Sequence, residues 1–408
     1  MSTPTICRIV KQNGITDDQS EPGDLIAKLH DIAPRLNDKD DREAKRVCLQ
    51  ISKALTAQLE QPENIAVDLA FSPMIAVSAR LAIDLNLFEY IVQYGPVTSA
   101  RLASLSGAEE LLIIRILRLL STVHFAEEAS PRAWRATRTT RVMATKEIAA
   151  GHRIISQLVV PAMQNAPSFS TQHGYSSPTD PRAGLVQFAF NTDQLTFEHI
   201  AANTSLLKDF NLFMGNSMGA RRYWFDWYPV QSRILDGATA DTALIVDIGA
   251  GKGHDLLAFA RKFSNVGRLV LQDLPAVVDG LHGALGTAIE VVAYDFFAEQ
   301  PIQGARAYFY HHIFHDWSDN YCLEILSRVV AAMTPGYSKL LLHEMLVPEQ
   351  GASQFHAQMD ITMMAFNGGM ERTRQQWQTL LEAVGLQIVK FWDPVDEGAD
   401  GIVKAVRI

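Results

Sequence analysis

The chain has 408 residues, of which 48% are hydrophobic and 20% charged, and its formal net charge is −9. This length predicts two or three domains, and the acidic balance argues against a nucleic-acid partner held by its phosphates. The three cysteines, Cys7, Cys48 and Cys322, are too widely spaced for a disulfide framework or a zinc knuckle. The N-terminus lacks an apolar signal region and no long uninterrupted apolar stretch occurs, so we expect a cytoplasmic protein without a membrane partner.

The N-terminal part of the chain has a mostly helical pattern. Residues 1–60 mix helical periodicity with charge and are interpreted as a peripheral helical arm. Within residues 61–160, a helix that opens at Val97 and ends at Gly107 is followed by a second helix over 109–120 and a polar hairpin. This order is typical of a winged-helix-like domain, which we expect to dimerise. The second helix is too apolar to lie in a DNA groove.

Two further segments complete the chain. Residues 161–235 carry aromatic-rich helical patterns and are interpreted as a helical connector that contributes to a substrate pocket. Residues 236–408 alternate strands with helices and predict an α/β domain with a doubly wound, Rossmann-like parallel sheet. The strands are expected at residues 243–248, 267–271, 289–293, 305–310 and 338–344. The C-terminal end indicates two more strands that pair antiparallel at the edge of the sheet.

A glycine-rich turn lies between the first of these strands and its helix. Gly249, Gly251 and Gly253 follow an apolar strand and precede a helical pattern that begins at His254. Glycines at such a turn let the backbone approach a ligand closely, beside the free N–H groups of the helix start. The spacing fits neither the dinucleotide fingerprint nor the phosphate-binding loop of nucleoside triphosphatases. Asp273 ends the next strand, about 20 residues after the turn, at the usual place of a ribose-binding carboxylate.

Further carboxylates narrow the class of ligand. Asp247, at the end of the first strand, would repel a pyrophosphate but attract the ammonium group of an amino acid. Asp295 and Phe296 follow the third strand, where a carboxylate can accept from an adenine amino group and a ring can stack on the base. Taken singly, Asp273 and Asp295 could equally be ordinary caps. Together with the glycine turn, they resemble the cofactor site of the class I S-adenosylmethionine methyltransferases.

A histidine-rich segment follows the fourth strand and contains His311, His312 and His315, with Asp316 and Asp319 close behind. Three histidines and two carboxylates are compatible with a metal site. We expect His311 and His312 to point to opposite faces of the strand, however, so no metal is predicted. A histidine at the carboxyl end of a strand, above the cofactor crevice, is suited to act as a general base. We assign that role to His315.

Longer motifs resemble a known enzyme family. The HDWSD, LLLHEMLVPE and FNGGMERT segments resemble the plant-type caffeate and flavonoid O-methyltransferases. The QFAFNTD, FNLFM and WFDWYPV segments resemble the fungal secondary-metabolite branch of that family, and the resemblance extends from about residue 65 to the C-terminus. It implies a homodimeric, S-adenosylmethionine-dependent O-methyltransferase. The substrate implied is a phenolic or enolic hydroxyl of a small aromatic or polyketide-type metabolite.

The resemblance also assigns site residues. The base of the HDW motif falls on His315, and the two carboxylates that flank it fall on Glu344 and Glu371. Glu344 could instead end its strand in a salt bridge, and Glu371 could be a charge beside the capping box of Thr373 and Gln376. The residues expected to bind the cofactor are Asp247, Gly249, Ala250, Gly251, Asp273, Leu274, Asp295, Phe296 and His311. The residues expected to contact a flat substrate are Phe210, Met214, Met363, Met364 and Asn367.

One position departs from the family pattern. The family usually has Lys or Arg four residues before the base, in contact with the cofactor, whereas this chain has His311. The departure implies weaker or pH-dependent cofactor binding. It also leaves open an alternative, a pericyclase or cyclase of the same fold that uses S-adenosylmethionine as an electrostatic aid without consuming it. A DNA-binding regulator is disfavoured by the acidic charge.

Overall fold

The structure is a computed structural model that describes residues 21–217, 222–264, 266–281, 283, 285–286, 288–394 and 398–408. The first 20 residues of the expected N-terminal arm therefore lie outside the described residues. The chain divides into two compact units, residues 1–140 and 141–408.

The first unit combines helices with a small antiparallel sheet. Its described helices are α1 Pro22–Ile32, α2 Arg42–Leu59, α3 Pro62–Phe71, α4 Pro73–Asp84, α5 Leu87–Tyr94, α6 Ser99–Ser106 and α7 Glu110–Thr122. Its strands are β1 Val97–Thr98, β2 Glu127–Ser130 and β3 Ala133–Arg135, which lie in the order β1-β3-β2. Helix α6 begins where the Thr98 hydroxyl accepts the Arg101 N–H, and it ends at Gly107, whose φ is 73°. The two predicted helices and the hairpin that follows them are confirmed.

Helices α3 and α4 expose an unusual amount of apolar surface. Their exposed apolar side chains include Ile65, Val67, Leu69, Phe71, Met74, Val77 and Leu81. By length and composition alone, Pro62–Asp84 could cross a membrane, and only 11% of its most apolar window is buried. The two helices meet at Ser72, which precedes Pro73 and keeps right-handed helical backbone angles. The absence of a membrane partner stays a prediction.

Helix α8, Arg138–Met143, contains the division between the units, and further helices open the second unit. These helices are α9 Lys146–Ile154, α10 Val160–Gln164, α11 Ala166–His173, α12 Leu185–Phe190, α13 Thr196–Ala202 and α14 Thr204–Ser217. A π-helical turn, Ile155–Val159, joins α9 to α10. The Arg153 guanidinium on α9 donates to both carboxylate oxygens of Asp209 on α14, at 2.8 and 2.7 Å. This bidentate pair fixes α14 against α9.

A seven-stranded sheet organises the rest of the second unit. The strands of this region are β4 Ala243–Ile248, β5 Arg268–Asp273, β6 Ile289–Ala293, β7 Ala307–His311, β8 Lys339–Glu344, β9 Leu346–Val347, β10 Arg372–Thr373, β11 Leu386–Trp392 and β12 Gly401–Arg407. The helices are α15 His254–Lys262, α16 Pro275–Val278, α17 Asp319–Ala332, α18 Gln354–Asn367 and α19 Arg374–Glu382. The sheet has the order β11-β12-β8-β7-β4-β5-β6, and β12 pairs antiparallel with both neighbours. The five predicted parallel strands and the terminal antiparallel pair are confirmed, with ends that differ by about two residues at most.

The strand order reverses at β4, because β5 and β6 lie on one side of it and β7 and β8 on the other. In an open α/β sheet, ligands bind outside the carboxyl ends of the strands at such a reversal. Strands β4 and β8 are buried along their whole length, as expected for a sheet that is covered on both faces. The carboxyl ends of β4 and β7 therefore mark the expected ligand crevice.

Candidate active site

The glycine turn after β4 is shaped for the close approach of a ligand. Gly249 and Gly251 have φ values of 71° and 54°, in the left-handed region that favours glycine. A Cβ added to Gly249 would collide with the Ile313 side chain, whereas one added to Gly251 would meet no heavy atom within 4 Å. Ala250, between the two glycines, donates its N–H to the Gln272 carbonyl at 3.2 Å. The open space beside Gly251 fits a cofactor that lies against this backbone.

Asp273, at the end of β5, is tied to the same turn. Its Oδ2 accepts the Gly251 N–H and its Oδ1 accepts the Leu274 N–H, both at 2.7 Å. Burial raises the pKa of Asp273, and these two hydrogen bonds oppose the rise. The carboxylate therefore holds the glycine turn in place, in addition to any contact it makes with a ribose.

Asp247 lies buried at the carboxyl end of β4. Burial raises the pKa of its carboxyl well above the usual range; nearby Asp255 adds to the rise, and His311 opposes it. A carboxyl held in this way ionises more readily when a cation arrives beside it. This behaviour fits the predicted contact with an ammonium group.

The residues after β6 connect the predicted adenine position to the HDW motif. Asp295 is exposed, and its Oδ1 accepts the Phe297 N–H at 3.0 Å. The half-buried ring of Phe296 packs edge-on against Trp317, with ring centroids 5.9 Å apart. Because Trp317 belongs to the HDW motif, the predicted adenine-binding ring contacts the segment that carries His315.

His315 forms a buried pair with Glu371. It lies in the 3-10 turn Phe314–Asp316, shortly after β7, and is 7% exposed. Its Nδ1 lies 2.9 Å from Glu371 Oε1 and 3.9 Å from Glu344 Oε2. Burial alone lowers the pKa of His315, but Glu371, Asp316 and Glu344 outweigh burial and raise this pKa well above its ordinary value. The structure thus brings the predicted base and both predicted carboxylates together.

Glu344 anchors the turn that carries His315. Its side chain is fully buried at the end of β8, and Oε1 accepts the N–H groups of Ile313 and Phe314 at 3.0 and 2.8 Å. Burial raises the pKa of this carboxyl, and His315 opposes the rise. Within the described residues, backbone amides and a histidine surround Glu344 rather than a Lys or Arg. The ionic partner that the structure gives Glu344 is therefore His315, at 3.9 Å.

Glu371 and the capping box beside it have separate roles: the capping box starts α19, and the Glu371 carboxylate contacts His315. The Thr373 hydroxyl accepts the Gln376 N–H at 3.3 Å, and the Gln376 side chain accepts the Thr373 N–H at 2.8 Å. These bonds start α19 and do not involve the Glu371 carboxylate, whose Oε1 reaches His315. The backbone N–H of Glu371 donates to Asp360 Oδ1 at 3.0 Å.

Two residues of the FNGGMERT motif shape the site, although the sequence analysis did not single them out. Gly369 packs so closely against the backbone of His315 that an added Cβ would overlap the His315 carbonyl oxygen. Arg372 is fully buried and donates to the carbonyl oxygens of Phe314 and Trp317, each at 2.8 Å. These contacts fix the backbone on both sides of His315. The signal was present in the motif, where a glycine pair and an arginine flank Glu371.

The surroundings of His311 differ from the sequence expectation. The expectation that His311 and His312 point to opposite faces of the strand is wrong. His312 follows the end of β7 with a φ of 54°, which breaks the alternation, and both rings approach Asp400. Burial lowers the pKa of His311, but Asp255, 2.6 Å from its Nδ1, and Asp400 outweigh burial and raise this pKa to about 10. The chain thus keeps a cation where the family usually has Lys or Arg.

The residues predicted to contact the substrate lie on two helices. They are Phe210 and Met214 on α14, and Met363, Met364 and Asn367 on α18. The Phe210 ring is parallel to that of Phe366, with centroids 6.4 Å apart. Asn367 donates from Nδ2 to the Asp316 carbonyl at 3.1 Å, which ties α18 to the turn that carries His315. Met363 is buried and Met364 half-buried, whereas Met214 is 43% exposed.

Comparison with known proteins identifies the family of this chain. The family model described as "O-methyltransferase domain" matches residues 233–387, which include the glycine turn, His315 and Glu371. O-methyltransferase penC of Penicillium thymicola is 63% identical to this chain over 389 residues, which cover 95% of the chain and 98% of the relative.

Solved structures share the fold over almost the whole chain. The structure of LepI in complex with SAM, which is S-adenosylmethionine, superposes with a TM-score of 0.84 at 26% identity and covers 95% of this chain and 100% of the other. A structure described as "A Pericyclic Reaction enzyme" gives a TM-score of 0.84 at 27% identity and covers 94% of this chain and 100% of the other. This chain belongs to the class I S-adenosylmethionine-dependent O-methyltransferases, in their fungal secondary-metabolite branch.

Proposed function

We propose that this enzyme transfers the methyl group of S-adenosylmethionine to a phenolic or enolic hydroxyl of a small aromatic or polyketide-type metabolite, with His315 as the general base. The observation that carries the proposal is the buried pair of His315 and Glu371, whose Nδ1 and Oε1 atoms are 2.9 Å apart. A carboxylate bonded to one ring nitrogen orients the imidazole and leaves the other nitrogen, Nε2, to accept a proton from the substrate hydroxyl.

The charges around His315 suit the removal of a proton from a phenol. A phenol with a pKa of about 10 and an ordinary histidine at about 6.5 differ by ~3.5, or roughly 5 kcal/mol against proton transfer. Glu371, Asp316 and Glu344 raise the pKa of His315 and so reduce that difference. A general base typically contributes about 10²–10⁴-fold to the rate. Alignment of the substrate oxygen with the methyl carbon supplies further acceleration.

S-adenosylmethionine supplies an electrophilic methyl group on a sulfonium. Two features fit it: the open space beside Gly251 and the buried carboxyl of Asp247. In this proposal Asp247 contacts the ammonium group, Asp273 the ribose hydroxyls, and Asp295 with Phe296 the adenine. The remaining contacts come from Gly249, Ala250, Leu274 and His311.

The substrate would lie between the aromatic face of α14 and the end of α18. Phe210 and Met214 on α14 and Met363 and Met364 on α18 supply apolar and polarisable surface for a flat ring. Asn367 adds a polar contact, because its Oδ1 is buried and has no hydrogen-bond partner among the described residues. That oxygen can accept a hydrogen bond from a substrate hydroxyl next to the base.

The exposed apolar side chains of α3 and α4 support a homodimer formed through the winged-helix-like segment 61–160. Leu69 and Phe71 are 73% and 66% exposed, which is unusual for large apolar residues clustered on neighbouring helices. A second copy of this chain would cover them. In this organisation residues 1–60 remain a peripheral arm, 161–235 a connector and 236–408 the catalytic domain, and the enzyme is cytoplasmic.

The experiment that tests the proposal is incubation with methyl-labelled S-adenosylmethionine and a panel of aromatic and polyketide hydroxyls. We expect a labelled product and an equal amount of S-adenosylhomocysteine. His315→Ala should lower turnover by about 10²–10⁴-fold and leave cofactor affinity nearly unchanged by calorimetry. Full turnover by this variant would disprove the general-base role.

A second candidate function is a pericyclic or cyclisation reaction. It is favoured by the close structural similarity to the protein described as a pericyclic reaction enzyme. The same incubation separates the two functions. A cyclase would convert its substrate into an isomer of unchanged mass and leave S-adenosylmethionine intact.

A further inference from the structure

A second group of histidines and carboxylates lies near the catalytic pair. Imidazole nitrogens of His311 and His343 and a carboxylate oxygen of Asp400 all lie within 4.8 Å of one another. His343 and Asp400 are 5% and 3% exposed, and the His311 side chain is 10% exposed. The sequence analysis singled out neither His343 nor Asp400, and the proposed methyl transfer uses neither.

The sheet itself brings these three residues together. His311 ends β7 and pairs in register with His343 on β8. Asp400 directly precedes β12, whose first residue, Gly401, pairs with Glu344 on β8. The ends of two parallel strands and the start of an antiparallel strand therefore meet at one place. Side chains on strands hold a fixed geometry better than side chains on loops.

Two nitrogen atoms of the group lack a hydrogen-bond partner in the described part of the chain. They are His311 Nε2 and His343 Nδ1, and both are buried. Leaving a buried polar atom without a partner is energetically costly. His311 Nε2 lies 3.9 Å from Asp400 Oδ2, which is beyond hydrogen-bond distance. This distance is about 0.5 Å longer than the ~3.4 Å that separates two ligand atoms of a tetrahedral zinc ion with bonds of about 2.0–2.1 Å. A small movement of the two side chains would therefore let both atoms bind one ion.

Neighbouring side chains orient two members of this group, His311 and Asp400. His311 Nδ1 lies 2.6 Å from Asp255 Oδ2, so a hydrogen bond there leaves Nε2 to face His343 and Asp400. Histidines that bind metals usually donate their other ring N–H to a carboxylate in this way. His312 Nε2 lies 2.9 Å from Asp400 Oδ1 and holds that carboxylate from the opposite side. The group thus has both ligand atoms and the outer contacts that orient them.

We propose that His311, His343 and Asp400 bind a divalent transition-metal ion of the zinc type. Two imidazoles and one carboxylate are a ligand set that Zn²⁺ accepts, with a fourth position for water. The ion replaces the proton at His311 Nε2 and offsets the negative charges of Asp255 and Asp400. Bound there, the ion joins β7, β8 and β12 beside the turn that carries His315. This proposal departs from the sequence expectation of no metal.

The test is a Zn²⁺ titration of the full chain after treatment with a chelator. We expect one tightly bound ion per chain by calorimetry and by elemental analysis after desalting. Co²⁺ in place of Zn²⁺ should give the visible absorption of a tetrahedral site. Asp400→Asn, which keeps the side-chain shape, and His343→Ala should each weaken binding by about 100-fold or more. His315→Gln is the matched control and should retain the ion.

Several results would overturn the proposal. Failure of the wild-type chain to bind Zn²⁺ would mean that His311 is simply an imidazolium between Asp255 and Asp400. Binding that survives both Asp400→Asn and His343→Ala would also overturn it. So would binding that is lost only in His315→Gln, since that places the ion with Glu344 and Glu371. Melting curves without metal establish that each variant folds, and if His343→Ala does not fold, Asp400→Asn decides. The proposal shares only His311 with the proposed cofactor site, and the product assay of methyl transfer reads out that function separately.

Discussion

Replacing Glu371 by Gln tests the central pair of the active site. Glutamine keeps the size of the side chain and an acceptor oxygen, but it removes a negative charge 2.9 Å from His315 Nδ1. At an effective dielectric constant of about 20, a full charge pair at this distance is worth about 6 kcal/mol. If the proton is half transferred in the transition state, about 3 kcal/mol of stabilisation is lost, which lowers kcat by about 10²-fold.

The pH profile of Glu371→Gln should carry a second signature. Glu371 is the largest of the charges that raise the pKa of His315, so its removal lowers that pKa. Neutral His315 is the form that accepts a proton, and a lower pKa keeps it neutral at lower pH. The acidic limb of the kcat/KM profile therefore moves to lower pH while the plateau falls. A less basic histidine is available over a wider pH range but accepts the substrate proton less well.

The assay is the initial rate of S-adenosylhomocysteine formation across the pH range, at saturating S-adenosylmethionine. Glu299→Gln serves as the control, because Glu299 is an exposed carboxylate and its replacement should leave both limb and plateau unchanged. An unchanged plateau in Glu371→Gln, or an acidic limb that moves to higher pH, would refute the electrostatic reasoning.

Three other substitutions test separate parts of the structure. Asp273→Ala removes two hydrogen bonds to the glycine turn, each worth about 1 kcal/mol, and should weaken S-adenosylmethionine binding at least tenfold, as measured by calorimetry. Unchanged affinity would show that Asp273 is not part of the cofactor site. Gly369→Ala forces a Cβ onto the His315 carbonyl oxygen and should lower the free energy of unfolding by about 1–3 kcal/mol in denaturant titrations. An unfolding midpoint equal to that of the wild type would contradict the close packing of Gly369 against His315. Phe71→Glu places a charge on the exposed apolar surface and should convert the proposed dimer to a monomer in sedimentation velocity, whereas Glu63→Gln on the same helix should not. A Phe71→Glu variant that remains a stable dimer would exclude α3 from the interface.

The strands and the glycine turn were predictable because each depends on neighbouring residues. An apolar run such as residues 244–248 indicates a buried strand by itself, and the positive φ values of Gly249 and Gly251 occur where the spacing of glycines predicts a sharp turn. The pairing of His315 with Glu371 was predictable for another reason. The motifs that contain His315 and Glu371 occur together in a known family, and the family pattern implies that the two residues are close in space. The two residues, far apart in the sequence, would not reveal this by themselves.

The surroundings of His311 could not be predicted from local pattern. His311 meets His343 through the register of β7 and β8, and Asp400 through the return of β12 along β8. Such convergence is set by the assembled sheet rather than by sequence spacing. The prediction for His312 failed because strand alternation was extended one residue too far, into a position with positive φ.

Ile313 has a consequence for engineering this enzyme. Its side chain occupies the space in which a Cβ at Gly249 would lie, and its N–H is held by Glu344. The cofactor turn and the turn that carries the base are therefore interlocked. A larger residue at position 249 would force the Ile313 side chain to move, so loops exchanged between relatives should carry positions 249 and 313 as a matched pair.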